Sequence, residues 1–167
     1  WLRTRVSWQK ANHYESHILR RFQACTVVSP RELDLVKAMT KAARCRVEVS
    51  PNGVDCQHNR PGLVPTRPNT LIYNGALTYS ANYDAVKFFL REIYPLIRQQ
   101  VPEISLTITG STHGVDLSGL ALDESVRLSG HVDDIRFPVA EATVCVVPVR
   151  EGGGTRIKIL EAMALGT

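Results

Sequence analysis

The sequence predicts an α/β protein with a mostly parallel sheet, preceded by part of a second sheet. Three observations carry this. Between residues 70 and 165, short apolar runs alternate with helical periodicity or with loops. Strands separated in that way pair in parallel and are covered on both faces. Residues 57–69, QHNRPGLVPTRPN, contain three prolines and no periodicity, so they read as a linker. Ahead of that linker the chain supplies two further strands, which belong to a different sheet.

The elements follow in order. Residues 12–22 carry Tyr14, Ile18, Leu19 and Phe22 on one helical face. Thr26-Val27-Val28 reads as a short buried strand. Ser29-Pro30-Arg31-Glu32 starts a helix, with Ser29 as N-cap, Pro30 at the first position and Glu32 closing a capping box. This helix reaches about residue 40 and buries Leu33, Val36 and Met39. Val47 to Val49 is a strand, ended by the turn Pro51-Asn52-Gly53. Beyond the linker, Thr70 to Tyr73 is a strand followed by Gly75. Residues 83–99 form a helix with Val86, Phe89, Leu90, Ile93 and Ile97 on one face, which Pro95 ends or kinks. Ile104 to Ile108 and Val126 to Leu128 are strands, each followed by a glycine, Gly110 and Gly130. Residues 134–141 read as a short helix despite Pro138. Val144 to Val147 is a strongly apolar strand. Gly152-Gly153-Gly154 is a loop, and Thr155 to Leu165 is a helix with Ile159, Leu160, Met163 and Ala164 facing inward.

Composition narrows the function classes. With 44% hydrophobic and 22% charged residues in 167, the chain suits a globular protein and excludes a disordered, collagen-like or coiled-coil one. No run of 18 apolar residues is present to span a membrane. The start, WLRTRVSWQK, has no apolar signal core. A first residue Trp1, and an end at Gly166-Thr167 directly behind a helical pattern, read as cuts in a longer chain. Cys25, Cys45, Cys56 and Cys145 form no CxxC pair, which favours a reducing compartment over a disulfide scaffold. The net charge of +4 is mild, and the basic residues are scattered without interleaved aromatics, which disfavours a nucleic-acid surface. It is compatible with an anionic membrane face or an anionic ligand.

The segment Pro148 to Glu161, PVREGGGTRIKILE, lies between a buried strand and a helix. In an open parallel sheet, ligands bind at such carboxyl ends. Glycines let the backbone approach a ligand, and free N–H groups at a helix start bind anions such as diphosphate. Arg150, Arg156 and Lys158 add charge. The plainer reading is a tight turn with solvated charges. Glu161 suits a ribose diol, or an ordinary ion pair with Lys158 three residues earlier. Gly75, Gly110-Ser111-Thr112-His113 and Gly130-His131 follow successive strands and would line one crevice, although glycines end strands in any fold. Asn82 reads as the N-cap of its helix. His13 and His17 are four apart but lack the HExxH pattern, so no metal site is expected.

These same segments resemble retaining glycosyltransferases of the GT-B fold, group 1 or family 4 type. Val49 to Asp55 is similar to the family's "PNGVD" segment, and Ile72-Tyr73-Asn74-Gly75 to its "F-x-G" opening. Leu106 to Gly110 resembles "L-x-I-x-G", Val126 to Val132 resembles "V-x-F-x-G-x-V", and Leu160 to Gly166 resembles "LEAMAxG". The resemblance implies a Rossmann-like parallel-sheet domain with part of a second Rossmann-like domain. Residues 1–56 would be the C-terminal portion of the acceptor domain, 57–69 the linker, and 70–167 a donor domain incomplete at its C-terminus. It implies sugar transfer from a nucleotide-sugar donor with retained configuration, with Glu161 holding the donor ribose. The family's E-x7-E motif would place its first glutamate at Gly153, so this chain is closer to the subgroup written R-x-G-G-G-T-R-x-K-x-x-E. The usual arginine and lysine near the diphosphate fall at Ala76 and near Asn82. Arg156 and Lys158 then supply the catalytic positive charge, and Gly75, Gly153, Gly154 and Thr155 the backbone donor contacts. No cofactor and no metal are implied. The partners implied are the nucleotide-sugar donor and a carbohydrate or lipid-linked acceptor, as in polysaccharide biosynthesis, and no nucleic acid. A cytoplasmic location follows, compatible with peripheral attachment to the cytoplasmic membrane face. The competing readings are a non-catalytic nucleotide-binding or interaction module of the same fold, and a GT-B type epimerase.

Overall fold

The computed structural model describes residues 2–39, 45–152 and 154–167. Two compact units are present. One holds the residues up to Asn52 together with the stretch at 154–155; the other runs Gly53–Gly152 and Arg156–Thr167.

In the first unit, helix α1 spans Leu2–Leu19 and therefore starts well before its predicted beginning. Tyr14 and Phe22 are 64% and 56% exposed, so they do not form the inward face. The expected Ile18 and Leu19 are half-buried, together with Asn12 and Ser16, where Ser16 Oγ donates back to the Asn12 carbonyl at 2.7 Å. Strands β1 (Ala24–Val27) and β2 (Arg46–Val49) pair in parallel, Ala24 opposite Arg46 and Val27 opposite Val49. Between them, α2 (Pro30–Met39) starts much as its sequence dictates. The Glu32 N–H donates to Ser29 Oγ at 3.2 Å, while the Glu32 carboxylate accepts from Val28 N–H at 3.0 Å, one residue upstream of the expected box partner. Leu33, Val36 and Met39 are its half-buried positions. None of the described side chains between 5 and 52 is fully buried.

The second unit is a four-stranded parallel sheet of β3 (Thr70–Asn74), β4 (Ser105–Thr109), β5 (Val126–Gly130) and β6 (Val144–Cys145). Its order is β5-β4-β3-β6. Side chains alternate across a strand, so neighbours on β3 feed opposite faces. Leu71 and Tyr73 join Leu106 and Ile108 under a helical layer of Val86, Phe89, Leu90 and Tyr94. Ile72 points the other way, into Val139, Ala140, Ala162 and Leu165. The proline-rich stretch 57–69 groups with this unit, and its Leu63 and Val64 pack against that second cluster.

Pro95 neither ends nor sharply breaks its helix. Helix α3 (Ser80–Phe88) passes through a π-helical turn, Phe89–Ile93, into α4 (Tyr94–Gln100). Pro95 has no N–H for the carbonyl one turn back, and a π turn just ahead of it absorbs the misfit. Helices α5 (Arg136–Glu141) and α6 (Ile157–Leu165) cover the other face. Helix α6 starts two residues later than expected and ends on Gly166 at φ +85°, with Thr167 N–H reaching Ala162 O at 2.9 Å, a Schellman closure. Its orientation also differs from expectation: Ile159 and Met163 are 41% and 69% exposed, whereas Ala162 and Leu165 are buried. Leu160 and Ala164 are half-buried, as expected, and so are Lys158 and Glu161, so two charged residues are carried onto the partly covered side.

Candidate functional site

From β3 the chain moves outward through β4 to β5, then returns to lay β6 on the opposite side of β3. The connections that leave β3 and β6 lead to helices on opposite faces of the sheet, and in open parallel sheets a crevice forms at such a switch point. The turn after β3 forms one wall of this crevice. Gly75 N–H donates to Thr109 O at 3.0 Å, Leu77 N–H to Ser111 O at 2.9 Å, and Gly110 N–H to Gly130 O at 2.7 Å. The three glycine turns are thus joined by main-chain bonds. A Cβ on Gly110 would stand 2.6 Å from Ala76 N and 2.7 Å from the Gly75 carbonyl carbon, so only glycine fits there.

Lys158 enters the crevice from the first turn of α6. Its ammonium donates to the Asn74 carbonyl at 2.5 Å and lies 4.7 Å from the centroid of the Tyr73 ring. A Cβ at Gly75 would meet the Lys158 Nζ at 3.0 Å, so the turn and the ammonium are in close contact. Burial is the main cause that lowers the Lys158 pKa below the ordinary lysine range; Arg156 pushes the same way, while Cys145 and Glu161 oppose it. Burial likewise raises the Tyr73 phenol to about 12, which keeps it a neutral hydrogen-bond donor.

Arg156 occupies the N-cap position of α6, not its first turn, and its guanidinium donates back to Glu151 O at 2.7 Å and Gly152 O at 3.3 Å. Its charge acts on both Lys158 and Tyr73. Arg150 points elsewhere: it forks onto Asp84 at 2.8 and 3.1 Å and lies over the Phe88 ring. Glu161 is half-buried one turn beyond Lys158 and makes no ion pair among the described residues, since the lysine is turned to Asn74. Of the Gly-rich loop, Gly152 and Gly154 have φ of +96° and +78°, Thr155 is half-buried, and Gly153 lies outside the described residues. Lys158, Arg156, Glu161 and Gly75 are therefore brought to one region of the second unit.

Asn82 is not the helix cap that its sequence position suggested. The N-cap is Tyr79, without a side-chain bond, and Asn82 sits inside the first turn. Its amide instead accepts from Tyr73 Oη at 2.8 Å and donates to Ala76 O at 2.9 Å. Sequence reasoning took Asn82 for a cap and missed its link to Tyr73. The only signal was a tyrosine at a strand end, nine residues ahead of an asparagine. Asn74 Oδ1, beside them, is a buried acceptor with no partner among the described residues. Among the described residues no cluster of His, Cys, Asp or Glu is placed to hold a metal ion, and no helix is long and apolar enough to cross a membrane.

The fold has counterparts among solved structures. The chain superposes on TarM with a TM-score of 0.70 at 13% identity, covering 93% of this chain and 30% of that one. The pneumococcal O-GlcNAc transferase GtfA, solved with UDP and GlcNAc, gives 0.64 at 13% identity, with 90% and 30% covered. The GtfA/B complex gives 0.59 at 18% identity with the same coverage. The chain thus spans about 30% of the length of these proteins and shares the GT-B fold with them. No curated protein sequence matches it. The glycosyl transferases group 1 model matches residues 68–167, the stretch that contains the switch-point crevice and the lysine beneath its glycine turn, and the chain belongs to that family.

Proposed function

We propose that the chain is the donor-binding part of a retaining glycosyltransferase that transfers a sugar from a nucleotide-sugar to a carbohydrate or lipid-linked acceptor. The observation that carries this reading is the Lys158 ammonium held under the Gly75 turn at the switch point. When the sugar–phosphate bond breaks, negative charge grows on the departing diphosphate. A fixed, partly desolvated cation at that place stabilises it most in the transition state. Arg156 adds a second positive charge nearby, and Gly153, Gly154 and Thr155 are the backbone donor contacts that the sequence resemblance implies. Glu161, free of an ion pair among the described residues, holds the donor ribose through its two oxygens. The retaining course and the glycine-rich subgroup follow from the sequence resemblance. So does the division into an acceptor portion at 1–56, a linker at 57–69 and a donor portion at 70–167. Work at the cytoplasmic membrane face fits a lipid-linked acceptor. The whole protein carries the activity; the 167-residue chain alone is expected to bind nucleotide with little turnover.

The test is calorimetric binding of UDP, GDP and ADP to the intact protein, with Glu161→Ala beside it. Loss of two charge-assisted bonds weakens the preferred nucleotide about tenfold to a hundredfold. Equal affinity in a folded variant refutes the ribose role.

A further inference from the structure

We propose that Asn82 and Tyr73 are positioning residues: their side-chain link fixes the floor on which Lys158 meets the donor diphosphate. This rests on the donor-site reading above and adds two residues to it. Three segments meet at the Asn82 amide. Tyr73 is the penultimate residue of β3, Ala76 belongs to the turn after it, and Asn82 lies in the first turn of α3. The amide is committed at both ends, accepting from the phenol and donating to the Ala76 carbonyl. Its Nδ2 would stand 3.0 Å from a Cβ on Gly75, the same distance as the Lys158 Nζ, so amide and ammonium both border the one glycine. Lys158 is held by the two groups that this link steadies: the Tyr73 ring beneath it and the Asn74 carbonyl next in the chain. Without the link, the Tyr73 hydroxyl loses its only acceptor among the described residues and the Ala76 carbonyl keeps among them only a 3.3 Å bond from Tyr79 N–H. Buried polar groups left unpaired make the neighbouring packing give way.

The experiment measures UDP affinity against pH in the intact protein for Tyr73→Phe, Asn82→Ala and the double variant, with Lys158→Ala and Glu161→Ala alongside. Tyr73→Phe keeps the ring and removes only the hydroxyl. Each single variant is expected to weaken UDP about fivefold to tenfold, and the double no more than the worse single, since both cut one link. The second readout is the alkaline limb of the affinity profile. Burial lowers the Lys158 pKa, Arg156 adds to this, and Glu161 and Cys145 oppose it. Loosening the floor admits water, so the limb moves to higher pH in Tyr73→Phe, a change that a general loss of stability does not produce. If Lys158→Ala and Glu161→Ala abolish binding while Tyr73→Phe leaves affinity and limb untouched, the positioning role is overturned and the donor site stands. If Lys158→Ala and Glu161→Ala themselves bind UDP normally, the donor-site reading falls and this inference falls with it. Tyr73→Phe decides the matter even where Asn82→Ala fails to fold.

Discussion

Replacing Gly110 with alanine tests whether the three glycine turns are locked main chain to main chain. Two costs arise. At φ +116°, an L side chain is strained; that contributes about 1–2 kcal/mol. The second cost is steric. The new Cβ would lie 2.6 Å from Ala76 N, 2.7 Å from the Gly75 carbonyl carbon and 2.8 Å from Ala76 Cα, all of them backbone. No rotamer change relieves such contacts, so the turns after β3 and β4 must part, at about 2–3 kcal/mol more. Gly114→Ala supplies the control, because Gly114 has φ +70° and nothing within 4 Å of its Cβ position. It carries the first cost without the second. For a unit of this size each kcal/mol moves the midpoint by about 4–8 °C. Gly110→Ala is therefore expected to melt about 10–20 °C below Gly114→Ala by circular dichroism. Midpoints within about 3 °C of each other would refute the claim that the turns are in main-chain contact.

Two other perturbations follow from the same packing. Tyr94 is 3% exposed, and its hydroxyl bonds the Ile104 carbonyl at 3.1 Å and Ser125 Oγ at 2.9 Å. Tyr94→Phe is expected to cost about 1–2 kcal/mol in urea unfolding at unchanged slope, and a variant as stable as the parent contradicts it. Asp134 forks onto Arg136, whose hydrogen bonds are the first cause lowering its pKa from 3.8 to about 2. A depressed carboxylate stabilises the fold above its unfolded pKa, and this contribution fades as pH falls through the folded value. The stability gap between parent and Asp134→Asn should therefore narrow between pH 4 and pH 2 in denaturant titrations, and a gap independent of pH in that window sinks the assignment.

How much of this was legible in the sequence depends on whether a feature is local. The strand at Thr70 to Asn74 and the helix start at Ser29 rest on short-range periodicity and capping, and both are found. The helix at 157–165 was legible as a helix but only in part in its orientation, since Leu160 and Ala164 are half-buried while Ile159 and Met163 are exposed. Ile157, Ile159, Leu160, Met163 and Leu165 leave apolar residues on nearly every side, so periodicity does not choose a face. The packing turns Lys158 and Glu161 inward together with Ala162 and Leu165. Asn82 was misread because helix α3 begins at Ser80, which moves the asparagine from the cap into the first turn. Its link to Tyr73 depends on how the strand and helix ends meet, and no spacing rule encodes that. The π turn before Pro95 is similar: proline marks a disturbance, but whether the chain breaks, bends or inserts a residue is decided by the core that Phe89 and Leu90 must fill.

The edge strand β6 has a consequence for the order in which the molecule assembles. It pairs with β3 through only two positions, Leu71 with Val144 and Ile72 with Cys145. The bond between Thr143 N–H and Thr70 Oγ1 closes a separation of 73 residues. Contacts so distant along the chain carry the largest loop-closure cost and form late. During synthesis β3, α3, α4, β4 and β5 are available to pair well before β6 leaves the ribosome. The crevice is completed only after those strands and helices, when β6 docks and brings α6 with Lys158 against β3. A nucleotide that bridged Lys158 to the Gly75 turn would tie this late-docking segment to the rest of the sheet and oppose its release.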